Sequence, residues 1–232
     1  MPDGETIHLR PTAPLAERVL LPGDPGRALL LAQELLSEPL MFNHHRGLWG
    51  YTGAAPDGDP VTIQATGMGG PSAAIVLSEL IELGARRAIR VGTCGALDGG
   101  LALGGLVIAR DCICADGASR ALGAGERVQA DPGLTEALLC HAPGARAGTI
   151  VSVDLFYERE PARAHERDGA LAIEMEAATL FALGAARGVA VACILAVTDT
   201  FDAAGARTRI DEHGLRHAAE AMGRAAIAAV SS

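Results

Sequence analysis

The stretch PVTIQATGMGGPSAAIVLSELIELGARRAIRVGTCG, residues 60–95, contains a strand–helix–strand unit. Its first part is an apolar strand that ends in a glycine turn, its middle has helical spacing, and its last part is a second strand that ends in glycines. Pro71 suits the first turn of the helix, and Gly84 suits its end. Such a unit is typical of the α/β class.

Apolar segments with the same alternation of strand and helix continue on both sides of this unit. Helical spacing predicts further helices over 27–36 and 208–230. Thr208 is the predicted N-cap of the second, with Asp211 three residues later. This alternation predicts an α/β fold around a central sheet, and the chain shows no linker or repeat, which favours one domain over residues 1–232. The other strands are predicted at 17–24, 105–117, 147–153 and 189–199.

The composition argues against several classes of protein. The chain has 232 residues, 49% of them apolar, and a net charge of −9, which disfavours a general nucleic-acid binder. The N-terminal MPDGETIHLRPT lacks the apolar segment of a signal peptide, and the longest apolar run, at 189–197, is too short to span a bilayer. The five cysteines form no secreted-type pattern, so we expect a cytoplasmic protein.

All 19 basic residues are arginine, and the chain contains no lysine. A Walker P-loop, a Schiff-base site and a pyridoxal phosphate site each need a lysine, so these three sites are excluded. Cys112 and Cys114 alternate on one predicted strand, but two ligands do not make a zinc site. We therefore expect no metal, and any anion site must use arginine and backbone amides.

Three predicted strand ends are rich in glycine: LLPGDPGR at 20–27, IQATGMGGPS at 63–72 and IRVGTCGA at 89–96. Glycines let backbone N–H groups approach an anion, and helix N-termini favour negative charge. Arg27 and Arg90 accompany two of these turns, which predicts a phosphate-sized ligand. None of the turns matches the dinucleotide-binding fingerprint.

The segment LAIEMEAATLFALG, residues 171–184, carries Glu174 and Glu176 in an otherwise apolar run. Its first half reads as a strand and its second half as a helix, so the pair lies at a strand-to-helix junction. In an extended segment the two side chains point to the same side, toward one cavity. Helix N-terminal amides would help to compensate their burial.

Seven short segments follow one another along the chain: GDPGR (23–27), HRGLWGYTG (45–53), GMGGPS (67–72), RVGTCGA (90–96), VDLFY (153–157), EMEAATLF (174–181) and VTD (197–199). Together they resemble the hexameric purine nucleoside phosphorylases, a branch of the nucleoside phosphorylase family. The resemblance runs from His8 to about Asp199. It implies a three-layer αβα fold with a central mixed, twisted sheet, and phosphorolysis of purine (deoxy)ribonucleosides in purine salvage.

The resemblance implies a phosphate clamp of Arg27 and Arg90, helped by the backbone at Gly23 and the hydroxyl of Thr93. Arg46 would be a third clamp residue, supplied by a neighbouring subunit. Phosphate is then the attacking group, so neither an enzyme nucleophile nor a cofactor is expected. The implied assembly is a homohexamer, a trimer of dimers with shared active sites.

The resemblance also implies a nucleoside site. His8, supplied by the same neighbour, would bind the ribose 5′-hydroxyl, and Phe156 would pack on the base. Met175 would lie against the apolar side of the sugar, and Glu176 would accept hydrogen bonds from the 2′- and 3′-hydroxyls. The remaining members of this set are Glu174 and Thr198.

Asp199 resembles the acid that protonates N7 of the departing base. Such a group must carry a proton, and an apolar strand end would raise its pKa in the required direction. In the family an arginine pairs with this aspartate when the site closes, and Arg207 and Arg209 both lie in range. The intervening segment TFDAAGAR, residues 200–207, has the small residues of a mobile lid.

Other functions remain open. A uridine phosphorylase would carry a glutamine and an arginine after the Phe, but LFYEREPARAHERDG, residues 155–169, has no glutamine. A nucleosidase would dispense with the arginine clamp, and a methylthioadenosine phosphorylase would differ in the 5′ pocket. A non-catalytic nucleotide-binding module would leave Asp199 buried and idle. Base release with and without phosphate separates these possibilities.

Overall fold

The computed structural model describes residues 6–157, 168–202 and 205–232. Helices and strands alternate along most of this part of the chain, as the sequence predicts. The helices are α1 (Pro25–Leu35), α2 (Gly70–Leu83), α3 (Gly117–Ala121), α4 (Pro132–His141), α5 (Ala177–Arg187) and α6 (Glu212–Ser231). The strands are β1 (Arg18–Leu21), β2 (Ser37–Asn43), β3 (Gly50–Ala54), β4 (Pro60–Gln64), β5 (Arg87–Ala96), β6 (Leu106–Ala115), β7 (Arg127–Gln129), β8 (Arg146–Val153), β9 (Ala172–Glu174), β10 (Ala190–Phe201) and β11 (Arg207–Arg209).

The strands form one mixed sheet in the order β11-β10-β6-β8-β9-β5-β1-β4-β3-β2, with β7 paired to β6. Strand β10 also pairs with β5, so β5, β9, β8, β6 and β10 close into a ring. The neighbours β4, β1, β5 and β10 are parallel to one another. Their carboxyl ends therefore meet at one edge of the sheet, where α/β folds bind ligands.

Helices cover both faces of the sheet. One core cluster packs α2 and α5 against one face, and a second packs α1, α4 and α6 against the other. Alanine, leucine, valine and isoleucine fill both clusters, because the chain has few aromatic residues. The three-layer αβα arrangement with a central mixed sheet is confirmed.

The unit at 60–95 folds as β4, a glycine turn, α2 and β5. Gly69 is the N-cap of α2 with a φ of 86°, and Pro71 lies in the first helical turn. Gly84 ends the helix with a φ of 121°, a conformation that residues with a Cβ rarely adopt. The two glycines and the proline have the positions that the sequence predicts.

The start of the last helix differs from the prediction. Asp211, and not Thr208, is the N-cap, because its side chain accepts a hydrogen bond of 2.7 Å from the Gly214 amide. Thr208 lies in β11 and pairs with Thr200, since β10 continues past its predicted end and the chain turns back along it. This hairpin brings two arginines to Asp199, as described below.

Within the part of the chain that the structure describes, no helix is both long and apolar enough to cross a bilayer. The same residues contain no group of three or more His, Cys, Asp or Glu side chains arranged to hold a metal ion.

Candidate active site

A buried three-residue cluster lies where β5 meets the junction of β9 and α5. The Arg90 Nε donates a hydrogen bond of 2.8 Å to Glu174 Oε2, and Nη2 donates to Glu176 Oε2. Only 3% of Arg90 is exposed. Its Nη1 has no hydrogen-bond partner among residues 6–157, 168–202 and 205–232. Two nitrogens of the guanidinium are thus fixed, and the third is uncommitted.

Gly92 makes room for the guanidinium. A Cβ at this position would lie 2.8 Å from Arg90 Cζ, closer than real contacts allow. Burial lowers the pKa of Arg90, but the charges of Glu176 and Glu174 outweigh burial and raise it above its ordinary value. Arg90 is therefore a permanent cation at this edge of the sheet.

Glu174 is saturated by protein donors. Besides Arg90, it accepts hydrogen bonds from the amides of Glu176 and Ala177 at 2.9 and 3.0 Å, and from the Ser152 hydroxyl. Burial raises the pKa of the Glu174 carboxyl despite the opposing charge of Arg90, because the cluster holds two carboxylates and one cation. Glu174 thus fixes the N-terminus of α5 and the orientation of Arg90.

Glu176 joins the cluster to the glycine turn after β4. Its Oε1 accepts a hydrogen bond of 2.5 Å from the Gly69 amide, while Oε2 accepts from Arg90. A carboxylate has about four acceptor positions, so both oxygens can still receive sugar hydroxyls. The junction of these two glutamates and the compensation by amides at the start of α5 are as predicted, but Arg90, which pairs with both, was not expected as a partner.

Arg27 lies in the first turn of α1, next to this cluster. Its Nη1 lies 3.5 Å from the Val91 carbonyl oxygen. Burial lowers the pKa of Arg27, Asp24 raises it, and Arg90 lowers it again, which reflects a second cation nearby. Arginine still stays protonated at neutral pH. Two guanidinium groups therefore lie near each other at this edge, with Asp24 and Glu176 as nearby counter-charges.

The other two predicted phosphate ligands are Gly23, in the turn after β1, and Thr93, near the carboxyl end of β5. The Gly23 carbonyl accepts a hydrogen bond of 3.0 Å from Gly67, and a Cβ on Gly23 would lie 3.1 Å from the Gly67 oxygen. This approach brings the turns after β1 and β4 together. Thr93 is half-buried on β5 opposite Ala196 of β10.

Asp199 lies on β10 opposite Gly95 of β5. Its Oδ1 accepts a hydrogen bond of 2.6 Å from Arg207 Nε, and Arg209 Nη1 lies at 3.3 Å from the same oxygen. The Thr198 hydroxyl donates to Oδ2 at 2.8 Å. Both candidate arginines thus contact the acid, and Arg207 is the nearer.

The predicted direction of the Asp199 pKa is wrong. Burial raises this pKa, but the hydrogen bonds from Arg207 and Thr198 and the charge of Arg209 outweigh burial and lower it below the ordinary value of 3.8. The sequence shows the apolar strand end, whereas the pairing of β11 with β10 supplies the cations. Asp199 is therefore ionised at neutral pH in this arrangement.

The predicted base and sugar contacts lie beside this acid. Arg207 Cζ lies 4.7 Å from the centre of the Phe156 ring, a cation–π distance. Phe156 is exposed, and Met175 is half-buried between the two glutamates. The segment after Phe156 that bears on uridine specificity falls largely at 158–167, outside the described residues, as do 203 and 204 of the predicted lid.

His8 and Arg46 lie elsewhere, on a surface next to α2 and β2. The His8 Nδ1 is 2.7 Å from Glu79 Oε1 on α2, and the His45 Nδ1 is 2.9 Å from the His8 carbonyl oxygen. Arg46 is exposed, with a φ of 59°, in the turn between β2 and β3. Asn43 stabilises this turn through a hydrogen bond of 2.5 Å from its Nδ2 to the Leu48 carbonyl. Sequence patterns assign no role to Glu79, His45 or Asn43.

A comparison with protein families matches residues 17–231 to the model described as "Phosphorylase superfamily". The chain belongs to the phosphorylase superfamily. Within it, a protein of Clostridium novyi named "Purine nucleoside phosphorylase DeoD-type" is 36% identical over 200 residues, which are 80% of this chain and 83% of that protein. Proteins with the same name from Geobacillus kaustophilus and Jannaschia sp. are 34% and 37% identical, each over 84% of this chain and 86% and 87% of their own length.

Membership of the phosphorylase superfamily confirms the resemblance that the seven segments carry. It also confirms that the chain is an enzyme of a phosphorylase type. The roles of the individual residues depend on the geometry above and are proposed below. The superfamily match extends to residue 231, beyond the point where the seven segments end.

Proposed function

We propose that this chain catalyses phosphorolysis of purine ribonucleosides and deoxyribonucleosides to the free base and (deoxy)ribose 1-phosphate. The proposal rests on the hydrogen bonding of the buried Arg90 guanidinium. Its Nε and Nη2 are bound by the glutamates of the β9–α5 junction, and its buried Nη1 has no partner among the described residues. This nitrogen can bind an anion beside Glu176, a carboxylate suited to sugar hydroxyls. The names of the relatives support the same reaction.

In the proposed site, phosphate binds to Arg27 and Arg90, to the backbone at Gly23 and to the hydroxyl of Thr93. The charge of the two arginines and the close turns after β1 and β4 support this assignment. Arg46 of a second copy completes the clamp. Charge-assisted contacts of this kind orient phosphate for attack on C1′ and need no enzyme nucleophile or cofactor.

The nucleoside binds on the other side of the cluster. Glu176 accepts hydrogen bonds from the 2′- and 3′-hydroxyls, Met175 packs on the sugar, and Phe156 packs on the base. Glu174 and Thr198 support the site through other residues and do not contact the nucleoside. Glu174 binds Arg90 and the first amides of α5, and the Thr198 hydroxyl donates a hydrogen bond to Asp199.

Asp199 protonates N7 of the departing purine. When the purine base covers the Asp199 carboxyl, water is excluded and the pKa of this carboxyl rises. Asp199 can then hold the proton that it later donates to N7. Arg207 then favours the carboxylate that remains after the proton moves to N7, because it donates to Asp199 Oδ1. The second arginine, Arg209, contributes charge at a longer distance.

Two copies of the chain share each site. His8 binds to Glu79, nine residues along α2 from Gly70, and a helix rises about 1.5 Å per residue, so the Cα of Glu79 lies about 13.5 Å along α2 from the end at the cluster. This separation supports a role for His8 in the site of another copy. Apolar side chains are exposed next to His8, on α2, along edge strand β2, before β3 and in the glycine turn before α2, which supports an interface on this part of the surface. They are Ile7, Leu40, Met41, Trp49, Met68 and Ile75.

The proposal extends to the assembly and the cellular setting. We propose a homohexamer built as a trimer of dimers, with residues 1–232 acting as a single domain. The enzyme works in purine salvage in the cytoplasm, without a metal or organic cofactor.

Base release from adenosine, inosine and uridine, with and without phosphate, tests the proposal. We expect rapid phosphate-dependent release from a purine nucleoside and formation of ribose 1-phosphate. Release at the same rate without phosphate would identify a nucleosidase, and a preference for uridine would identify the other branch of the family. Binding without release would identify a nucleotide-binding module.

A further inference from the structure

Glu79 is a buried carboxylate on an otherwise apolar helix face. Only 7% of it is exposed, and its buried neighbours on α2 include Val76, Leu77 and Leu80. Burial of a charge is costly unless hydrogen bonds compensate it. The phosphate and nucleoside contacts proposed above do not use this residue.

The compensation comes from the segment that contains His8. Glu79 Oε2 accepts a hydrogen bond of 2.7 Å from the Leu9 amide and one of 3.0 Å from the His8 amide. Its Oε1 lies 3.2 Å from the Ile7 amide nitrogen and 2.7 Å from His8 Nδ1. One carboxylate thus binds three consecutive backbone amides and the imidazole ring.

This geometry fixes the tautomer of His8. Burial raises the pKa of Glu79, but the hydrogen bonds from Leu9 and His8 outweigh burial and lower it below the ordinary value of 4.5. An ionised carboxylate can only accept hydrogen bonds, so His8 Nδ1 must carry the proton. In the neutral ring, Nε2 is then an acceptor on the side away from Glu79.

The backbone of His8 is held from a second direction. His45 Nδ1 lies 2.9 Å from the His8 carbonyl oxygen, and Arg46 follows directly in the chain. The His8 ring, which is 30% exposed, therefore has a fixed position relative to the turn that carries Arg46. Both residues face the surface that is proposed as the dimer interface.

We propose that Glu79 is a positioning residue that holds His8 as the Nδ1–H tautomer, so that Nε2 accepts a hydrogen bond from the 5′-hydroxyl of a nucleoside bound by a second copy of this chain. This inference rests on the proposed function. It assigns to Glu79 a part in substrate selection, because the tautomer decides whether the 5′ substituent meets an acceptor or a donor.

Glu79→Gln tests the proposal with two substrates, adenosine and 5′-deoxyadenosine. The amide removes the charge that fixes the ring, so we expect kcat/KM for adenosine to fall about 3- to 10-fold. For 5′-deoxyadenosine, which has no 5′-hydroxyl, kcat/KM should stay within about twofold. The matched control is Glu82→Gln on the same helix, an exposed residue that pairs with Arg187, and it should change neither value.

A combined His8→Ala, Glu79→Gln variant completes the kinetic test. If Glu79 acts through His8, the double variant loses no more activity on adenosine than His8→Ala alone. Equal losses for both substrates in Glu79→Gln, or additive losses in the double variant, would overturn the proposal and leave Glu79 a structural residue. Absence of phosphorolysis in the unaltered protein would instead refute the proposed function.

The tautomer can be measured without altering Glu79. In the unaltered protein labelled with ¹⁵N-histidine, imidazole nitrogen shifts distinguish Nδ1–H from Nε2–H, and the spectrum of His8→Ala assigns the signals. We expect the neutral His8 ring to carry its proton on Nδ1. A proton on Nε2 would overturn the proposal, even where Glu79→Gln fails to fold.

Discussion

The two regions that hold the proposed site residues differ in burial and in how their charges are satisfied. At the sheet edge, Arg90, Glu174 and Glu176 are all at most 5% exposed and bind one another. On the surface beside α2, Arg46 is exposed and has no ion-pair partner among the described residues, and only the inward side of His8 is bound. In the first region the charged side chains form ion pairs as soon as the chain folds. In the second region the polar groups face outward and have few partners within the described residues.

The difference separates residues that support the fold from residues that, in the proposed site, act on a neighbouring copy of the chain. A substitution at the sheet edge removes buried contacts and therefore changes the stability of the chain itself. A substitution at the exposed Arg46 removes no side-chain hydrogen bond or ion pair among the described residues, so its effect should depend on association. The positive φ of Arg46, held by the Asn43 hydrogen bonds, is consistent with a functional rather than a stabilising role.

The largest effect is expected for Arg90→Met. It leaves two buried carboxylates without their cation, so the free energy of unfolding should fall by about 3–5 kcal/mol, and phosphorolysis should be lost. Urea unfolding followed by circular dichroism measures this loss. Arg46→Met should abolish most activity but change the unfolding free energy of the chain by no more than about 0.5 kcal/mol. Equal destabilisation by both variants would contradict the division into two regions.

Asp199→Asn should lower adenosine phosphorolysis by about 10²–10⁴-fold, because an amide cannot protonate N7. Phosphate binding should persist, since the clamp lies on other residues. Steady-state kinetics with a base-release assay measures the loss, and Asp57→Asn, at an exposed pair with Arg18, is the control. Unchanged turnover of adenosine would remove Asp199 from the mechanism.

Mixed oligomers of two inactive variants test whether the surface region serves a neighbour. In a dimer of one Arg46→Ala chain and one Asp199→Ala chain, one site contains both substitutions. The other site combines the intact Asp199 of the first chain with the intact Arg46 of the second. With random reassembly half of the pairs are mixed, so about a quarter of all sites should regain activity. The variants are unfolded and refolded together and then assayed. Mixed oligomers without recovered activity would mean that Arg46 serves its own chain.

The smallest effect concerns pH, and the two regions should respond with opposite sign. Glu79 has a lowered pKa in the folded chain, so its contribution to stability is present above the ordinary value of 4.5 and is lost as the pH falls. Glu174 has a raised pKa, so its contribution is present at low pH and is lost as the pH rises through that pKa.

Unfolding free energies measured between about pH 3 and pH 7 give the pH dependence that each of the two carboxylates contributes. The stability of the unaltered protein relative to Glu79→Gln should rise with pH, and its stability relative to Glu174→Gln should fall. Slopes of the same sign would show that the two carboxylates have similar environments, against the contrast drawn above.

Local patterns were enough to predict the strand–turn–helix–strand unit at 60–95, because Gly69, Pro71 and Gly84 each have a conformation that few other residues share. They also located Glu174 and Glu176 at a strand-to-helix junction, since the apolar period changes there. The superfamily was recognisable for the same reason: its segments are turns with strict backbone requirements.

Contacts between distant segments were beyond local patterns. Arg90 meets Glu174 across 84 residues, and Glu79 meets His8 across 71, so only the folded chain brings them together. The Asp199 pKa was mispredicted for this reason: its cations arrive through the register of β11 on β10. The hairpin of β2 and β3 was also missed, because β2 is largely exposed and contains Pro39, so its sequence lacks the apolar pattern of a core strand.

The ring closed by β10 also limits how the site can move. Over Ile194–Ala196, β10 is paired with β5 on one side and with β6 on the other, so this part of the strand has no free edge. Its amide hydrogens should exchange with solvent only when the sheet unfolds globally, whereas those of the exposed β11 should exchange through local fraying. Binding of a nucleoside at Asp199, as proposed above, would then require no opening of the sheet along this part of β10.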